Sequence, residues 1–172
     1  LHGEPIAHSH DKFYKEQGQH RQQNQPRAHN VKMSPDGRYV FVSDLGLDKI
    51  IVYKFDDKYE KLSLNEPAYV TTTSGAGPRH FTFHPNKKFA YGINELNSSV
   101  SFYAYDGLGK LTLKQDISTK PQDWTEANNC ADIHVHPNGK FLYGSNRGNN
   151  SLAIFSINQQ DGSLKLIGHQ ST

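Results

Sequence analysis

The sequence predicts an all-β fold: a partial β-propeller, with about three four-stranded blades present out of a larger ring. Three observations predict it: a repeat of about 50 residues, an apolar period of two within each repeat, and a composition rich in aromatics and glycine. Three segments align without a gap on Pro35, Pro85 and Pro137, which stand 50 and 52 positions apart. Self-similarity at that period marks propellers, solenoids and arrays. Solenoid coils are usually shorter and sandwiches do not repeat at a fixed period, which leaves the propeller. Residue class is kept along the repeat, as in Tyr39, Phe89 and Phe141, then Phe41, Tyr91 and Tyr143, then Ile50, Val100 and Leu152.

Within each unit the strands follow in order. Val31 and Met33, Phe81 and Phe83, and Ile133 and Val135 alternate before the proline as a first strand. The turns Pro-Asp-Gly, Pro-Asn-Lys and Pro-Asn-Gly come next, where Pro fixes φ and Asp or Asn tolerates the bend. A second strand is predicted over 39–43, 89–93 and 141–145, and a third over 50–55, 100–105 and 152–157. A short fourth strand is expected near 62–64, 111–113 and 164–167. The repeat units are approximately 29–78, 79–130 and 131–172, with 1–28 a lead-in from a preceding blade. A closed ring typically takes 4–8 blades. The chain is therefore expected to be part of a longer protein, or to close with copies of itself, with self-association through open blade faces.

Composition narrows the function classes. The 172 residues carry 34% hydrophobic residues, nine Tyr, nine Phe and 14 Gly, which suits short half-exposed strands joined by tight turns. The 19 basic and 17 acidic residues are interspersed, with a formal net charge of +2, so no phosphate-backbone stripe exists and nucleic acid is not an expected partner. No run of 18 apolar residues exists, so no membrane span is expected. Cys130 is the sole cysteine, which excludes an intrachain disulfide and a multi-cysteine zinc site. The chain starts at Leu1 without Met or a signal-like segment, so its N-terminus is expected to be trimmed or internal. The compartment expectation is cytoplasmic, with periplasmic or secreted as the alternative.

The Pro-centred turn joins strands one and two at one end of each blade, so the start of strand one and the end of strand two meet at the other. That end gathers His29, Asn30, Arg79, His80, Asp132 and His134 beside Asp44, Asn94, Glu95, Asn146 and Arg147. Across blades it forms the mouth of the central channel, where loops on a rigid scaffold hold ligands. Ten residues after the proline the blades carry Leu45, Glu95 and Arg147, a divergence that points to a site-specific role. Arg79-His80 gains in the same way against His29-Asn30 and Ala131-Asp132.

Other polar residues take plainer readings. His84 and His136 precede the turn prolines and lie at the opposite end in a structural or solvent role. His2, His8, His10 and His20 lack regular metal spacing and read as a polar lead-in. Trp124, in the insertion 120–130, either lines the mouth or staples its loop. Cys130 has no neighbouring base in sequence, which argues against a nucleophile.

The stretch SGAGPRHFTFHPNKKFAYGINELNSSVSFY, residues 74–103, resembles a segment of the seven-bladed propeller lactonases, the bacterial 6-phosphogluconolactonase family. ADIHVHPNGKFLYGSNR resembles that family's next blade and PRAHNVKMSPDGRYVFVSDLGLDKI the preceding one, with HRQQNQPRAH as its lead-in. The resemblance implies hydrolysis of 6-phosphoglucono-δ-lactone with no cofactor and no metal. It maps the family's polar site onto His29, Arg79, His80, Glu95 and Arg147. Glu95, His80 and Arg147 are the expected catalytic residues. Arg79, His29, Asp44, Asn94, His134 and Asn146 are the expected contacts to a small sugar lactone. Glu95 or a histidine would be the base, and Arg79 and Arg147 an anion clamp. The same family includes a fungal carboxy-muconate cyclase, so a cycloisomerase is one alternative; a non-catalytic binding propeller is the other.

Overall fold

The computed structural model describes residues 20–172; His2, His8 and His10 lie outside the described residues. Among the described residues, the 3₁₀ turn Arg21–Gln23 precedes twelve strands. The first sheet holds β1 (Ala28–Met33), β2 (Tyr39–Asp44), β3 (Lys49–Asp56) and β4 (Lys61–Thr71). The second holds β5 (Pro78–Phe83), β6 (Phe89–Asn94), β7 (Ser99–Tyr105) and β8 (Leu111–Ser118). The third holds β9 (Asn129–Val135), β10 (Phe141–Arg147), β11 (Ser151–Ile157) and β12 (Leu164–Ser171). Each sheet is an antiparallel meander in chain order, so the chain forms three consecutive propeller blades.

The fourth strands are longer than the sequence suggested. β4, β8 and β12 each continue well past their apolar opening, because the third–fourth pairing absorbs a bulge in every blade. The register shifts at Ile51/Tyr53, Phe102/Tyr103 and Ile154/Phe155. Beyond the bulge the strand alternates polar and half-buried residues at the outer edge, a pattern with little apolar contrast to read.

Blades stack through aromatic faces. Phe41 of the first blade stacks on Phe81 of the second with ring centroids 5.6 Å apart, and meets Phe83 edge-on at 5.3 Å. Between the second and third blades, Tyr91, Ile93 and Phe102 pack with Ile133, Leu142 and Phe155. Polar ties cross the same seam: Tyr91 Oη donates to the Gly162 carbonyl at 2.9 Å, and the Gln115 side chain pairs with both backbone groups of Leu164. Phe81 and Ile133, each facing the preceding blade, are 3% exposed, whereas the equivalent Val31 of the first blade is 65% exposed. The first strands β1, β5 and β9 lie side by side along the inner edge of the arc.

His84 sits at the turn end, buried against Phe89, its Nε2 2.8 Å from the Gly139 carbonyl of the next blade. That contact latches two blades far from the mouth. Among the described residues no helix is long and apolar enough to cross a membrane.

Candidate active site

A second bulge, repeated in all three blades, builds the mouth. Ala28 pairs with Asp44 and Asn30 with Ser43, which leaves His29 without a partner across the ladder. Pro78 pairs with Asn94 and His80 with Ile93, which leaves Arg79 in the same position. The third blade shifts register between Gly144 and Asn146, opposite Ala131 and Asp132. A bulge bends the strand and re-aims its side chains. Here it turns two consecutive residues of the inner strand, Arg79 and His80, into the mouth.

The loop before β5 is anchored from the neighbouring blade. Asp48, buried and at φ +53°, accepts from the Gly77 N–H at 2.8 Å, the Gly75 N–H at 2.7 Å and Gln23 Nε2 at 2.7 Å. Gly77 has φ +65°, and a Cβ there would lie 2.6 Å from Leu96 Cγ, so only glycine fits this approach. The Gly77 carbonyl in turn accepts the Glu95 N–H at 2.8 Å, which sets Glu95 directly across from Arg79.

Glu95 is the centre of the cluster. Its Oε2 lies 2.8 Å from Arg79 Nε and 3.1 Å from Arg147 Nη2, so one carboxylate joins guanidiniums from two blades. Arg79 is held further: Nη1 donates to the Ala131 carbonyl at 2.8 Å and stands 3.2 Å from His80 Nε2. Arg147 Nη2 donates to the Cys130 carbonyl at 3.0 Å. The two arginines differ in access, with side chains 20% and 52% exposed against 13% for Glu95. Two cations on one anion leave net positive charge in this trio.

His29 borders the trio from an exposed position. Desolvation of its inner side, and then the Arg79 guanidinium, lower its pKa below the ordinary 6.5, although Glu95 pulls the other way. The ring is therefore neutral at neutral pH. His80 Nδ1 lies 2.7 Å from Asp132 Oδ1, and His134 Nε2 lies 2.9 Å from Asp132 Oδ2. Burial alone would raise the Asp132 pKa, but hydrogen bonds from His80, the Ile133 N–H and His134 outweigh it and hold the group at about 2.

Asp44, Asn94 and Asn146 occupy one position in the three blades, buried beneath the mouth with their side chains directed into the hairpin loops. Asp44 Oδ1 accepts from the Arg27 and Leu47 N–H groups at 2.7 and 3.1 Å. Asn94 Nδ2 donates to Ser99 and Ser101 hydroxyls. Asn146 Nδ2 donates to the Thr119 carbonyl, while its Oδ1 accepts from Thr119 Oγ1 and Asn128 Nδ2. Cys130 is buried among Thr119 and Asn146, and burial first of all pushes its thiol up to about 11, far from a reactive thiolate. Among the described residues no group of three or more His, Cys, Asp or Glu is arranged to hold a metal ion.

Successive four-stranded blades with ionisable side chains gathered at their inner edges define an arc of β-propeller with a charged mouth. The chain belongs to the family described as "Lactonase, 7-bladed beta-propeller", whose model matches residues 3–172. It is 44% identical over 154 residues to a 6-phosphogluconolactonase of Formosa agariphila, covering 87% of this chain and 43% of that protein. A 6-phosphogluconolactonase of Bacillus subtilis is 37% identical over 156 residues, covering 90% of this chain and 44% of that protein. Among solved structures, the periplasmic gluconolactonase of Pseudomonas aeruginosa superposes with a TM-score of 0.84 at 35% identity, covering 88% of this chain and 43% of that one. The chain thus spans less than half the length of the curated relatives it matches.

Proposed function

We propose that this chain carries the catalytic mouth of a lactone hydrolase, and that its substrate is 6-phosphoglucono-δ-lactone, opened by water to 6-phosphogluconate. The observation that carries the reading is the joining of Arg79 and Arg147, from adjacent blades, on one oxygen of Glu95. Such a trio complements both a phosphate and the oxyanion of an acyl-transfer intermediate. The relatives named 6-phosphogluconolactonase support the choice of substrate.

The arginines divide the work. Arg79, fixed by Glu95, His80 and the Ala131 carbonyl, needs no rearrangement to meet the developing oxyanion. Arg147, half exposed, binds the substrate phosphate. Neutral His29 takes a proton from water as the hydroxide oxygen bonds to the lactone carbonyl carbon, and the carbonyl electron pair moves onto its oxygen beside Arg79. Collapse restores the C=O bond and breaks the ring C–O bond, and the departing ring oxygen takes the proton back from His29. Glu95 holds both guanidiniums in register. Asp44, Asn94 and Asn146 keep the loops beneath in shape, and His134 lies on the rim.

A phosphorylated substrate does not cross a membrane unaided, so we place the reaction in the cytoplasm. The full-length protein should open 6-phosphoglucono-δ-lactone well above its spontaneous rate, followed by proton release. A rate equal to the spontaneous one would leave the mouth a binding scaffold without chemistry.

A further inference from the structure

Asp132 has no part in the reaction described above, yet its carboxylate grips two histidines of the mouth. It belongs to β9 of the third blade and reaches His80 on β5 of the second, 2.7 Å from Nδ1. The same carboxylate takes His134 Nε2 at 2.9 Å. Its backbone and carboxylate are held as well: the Asp132 N–H donates to Ser145 Oγ at 2.9 Å, and side-chain Oδ1 accepts the Ile133 N–H at 2.8 Å.

The two contacts of His80 determine where its proton sits. A carboxylate only accepts, so the Nδ1 facing Asp132 carries hydrogen. A guanidinium only donates, so the Nε2 standing 3.2 Å from Arg79 Nη1 offers its lone pair. His80 is therefore the Nδ1–H tautomer, lodged between an acceptor on one blade and a donor on its own. Were the proton on Nε2, two N–H groups would face each other, and Arg79 would lose one of the contacts that hold its plane against Glu95.

We propose that Asp132 is a positioning residue: it fixes the tautomer of His80 and, through it, the placement of Arg79 across the seam between the second and third blades. The inference rests on the lactonase reading for its kinetic consequence but not for its structural one. His80 then acts as a strut and leaves the acid–base step to His29. Small displacements of a group aimed at a developing charge are costly to rate.

The test is ¹⁵N NMR of the imidazole nitrogens of full-length protein, with the His80 signals assigned by loss in His80→Gln. Wild type should show a protonated Nδ1 and an unprotonated Nε2 on His80; the opposite pattern overturns the proposal without any Asp132 variant. Asp132→Ala should shift His80 toward Nε2–H and lower kcat on the order of tenfold, with KM changed less than about twofold. Asp132→Asn keeps an acceptor oxygen and should restore the wild-type tautomer and most of the rate. An unchanged tautomer in Asp132→Ala, or a loss confined to KM, overturns the role. If the tautomer shifts as stated but wild type opens no lactone, the positioning role stands and the lactonase reading falls.

Discussion

Arg79 Nε stands 2.8 Å from Glu95 Oε2, and the pair closes the end of the β5–β6 ladder, where the bulge has freed Arg79 from strand pairing. The same oxygen of Glu95 reaches Arg147 of the next blade. Removing the carboxylate leaves two guanidiniums side by side without their shared counter-charge, each still tied to a backbone carbonyl. Glu95→Gln should therefore keep the fold and lower kcat by at least about tenfold, since a misplaced oxyanion donor costs that much or more. Steady-state kinetics on folded protein checks this, and an unchanged kcat would take Glu95 out of the mechanism.

His29 acts only when neutral, and its pKa lies below 6.5. The acid limb of the kcat/KM profile should therefore fall below the ordinary imidazole value, with full activity through neutral pH. His29→Gln should remove that limb and leave a slow, flat profile; a limb that survives the substitution assigns the base elsewhere. Stability follows the same sign. Between the lowered folded value and 6.5 the unfolded chain binds more protons, so His29 destabilises the fold as pH drops through that window.

Asp132 behaves in the acid range in the manner of a depressed carboxylate. Its folded value of about 2 against 3.8 means that its stabilisation is complete above the unfolded pKa and is lost as pH falls from there toward 2. Urea melts of wild type and Asp132→Asn should converge near pH 2 and separate by pH 5. The gap will be small because the side chain is half exposed. Equal stability of the two proteins at pH 5 would deny the coupling.

The blade seam rests on Phe81, 3% exposed and stacked on Phe41. Phe81→Ala should cost about 3–5 kcal/mol, the range for emptying a buried aromatic site. Because β5 also carries Arg79 and His80, activity should fall below the melting transition as well. A loss of under about 1 kcal/mol in denaturant unfolding would mean that the seam repacks.

Much of this was legible in the residues. The prolines at 35, 85 and 137 punctuate the repeat, and alternation around Phe81 and Phe83 marks the inner strand, because a half-buried strand must alternate. Arg79, Glu95 and Arg147 stood out because they break the repeat, and the structure brings those three together. Asp44, Asn94 and Asn146 are expected from the sequence to contact the lactone; in the structure their side chains are buried in the hairpin loops, where a small polar residue kept in all three blades meets a need common to all three. The bulge that frees His29 and Arg79 left no apolar trace, since it shifts backbone pairing without changing residue class. The role of Asp48, and the pairing of Asp132 within the mouth where the repeat already places it, were hidden for a related reason. Each residue is one more short acid in a polar loop or strand end, and only the fold brings Gly75, Gly77 and the two histidines to their oxygens.

If Arg147, joined to Arg79 through Glu95, binds the phosphate of an anionic lactone, substrate preference must depend on it. The measurement is the ratio of kcat/KM for 6-phosphoglucono-δ-lactone to that for glucono-δ-lactone, in full-length wild type and in Arg147→Ala. Arg147 is half exposed, so screening reduces its charge-assisted bond to about 1–1.4 kcal/mol, roughly five- to tenfold in affinity. Wild type should prefer the phosphorylated lactone, and that preference should shrink by the same factor in the variant, through KM. A preference left intact by Arg147→Ala, or an equal loss on both lactones, would contradict phosphate binding by Arg147.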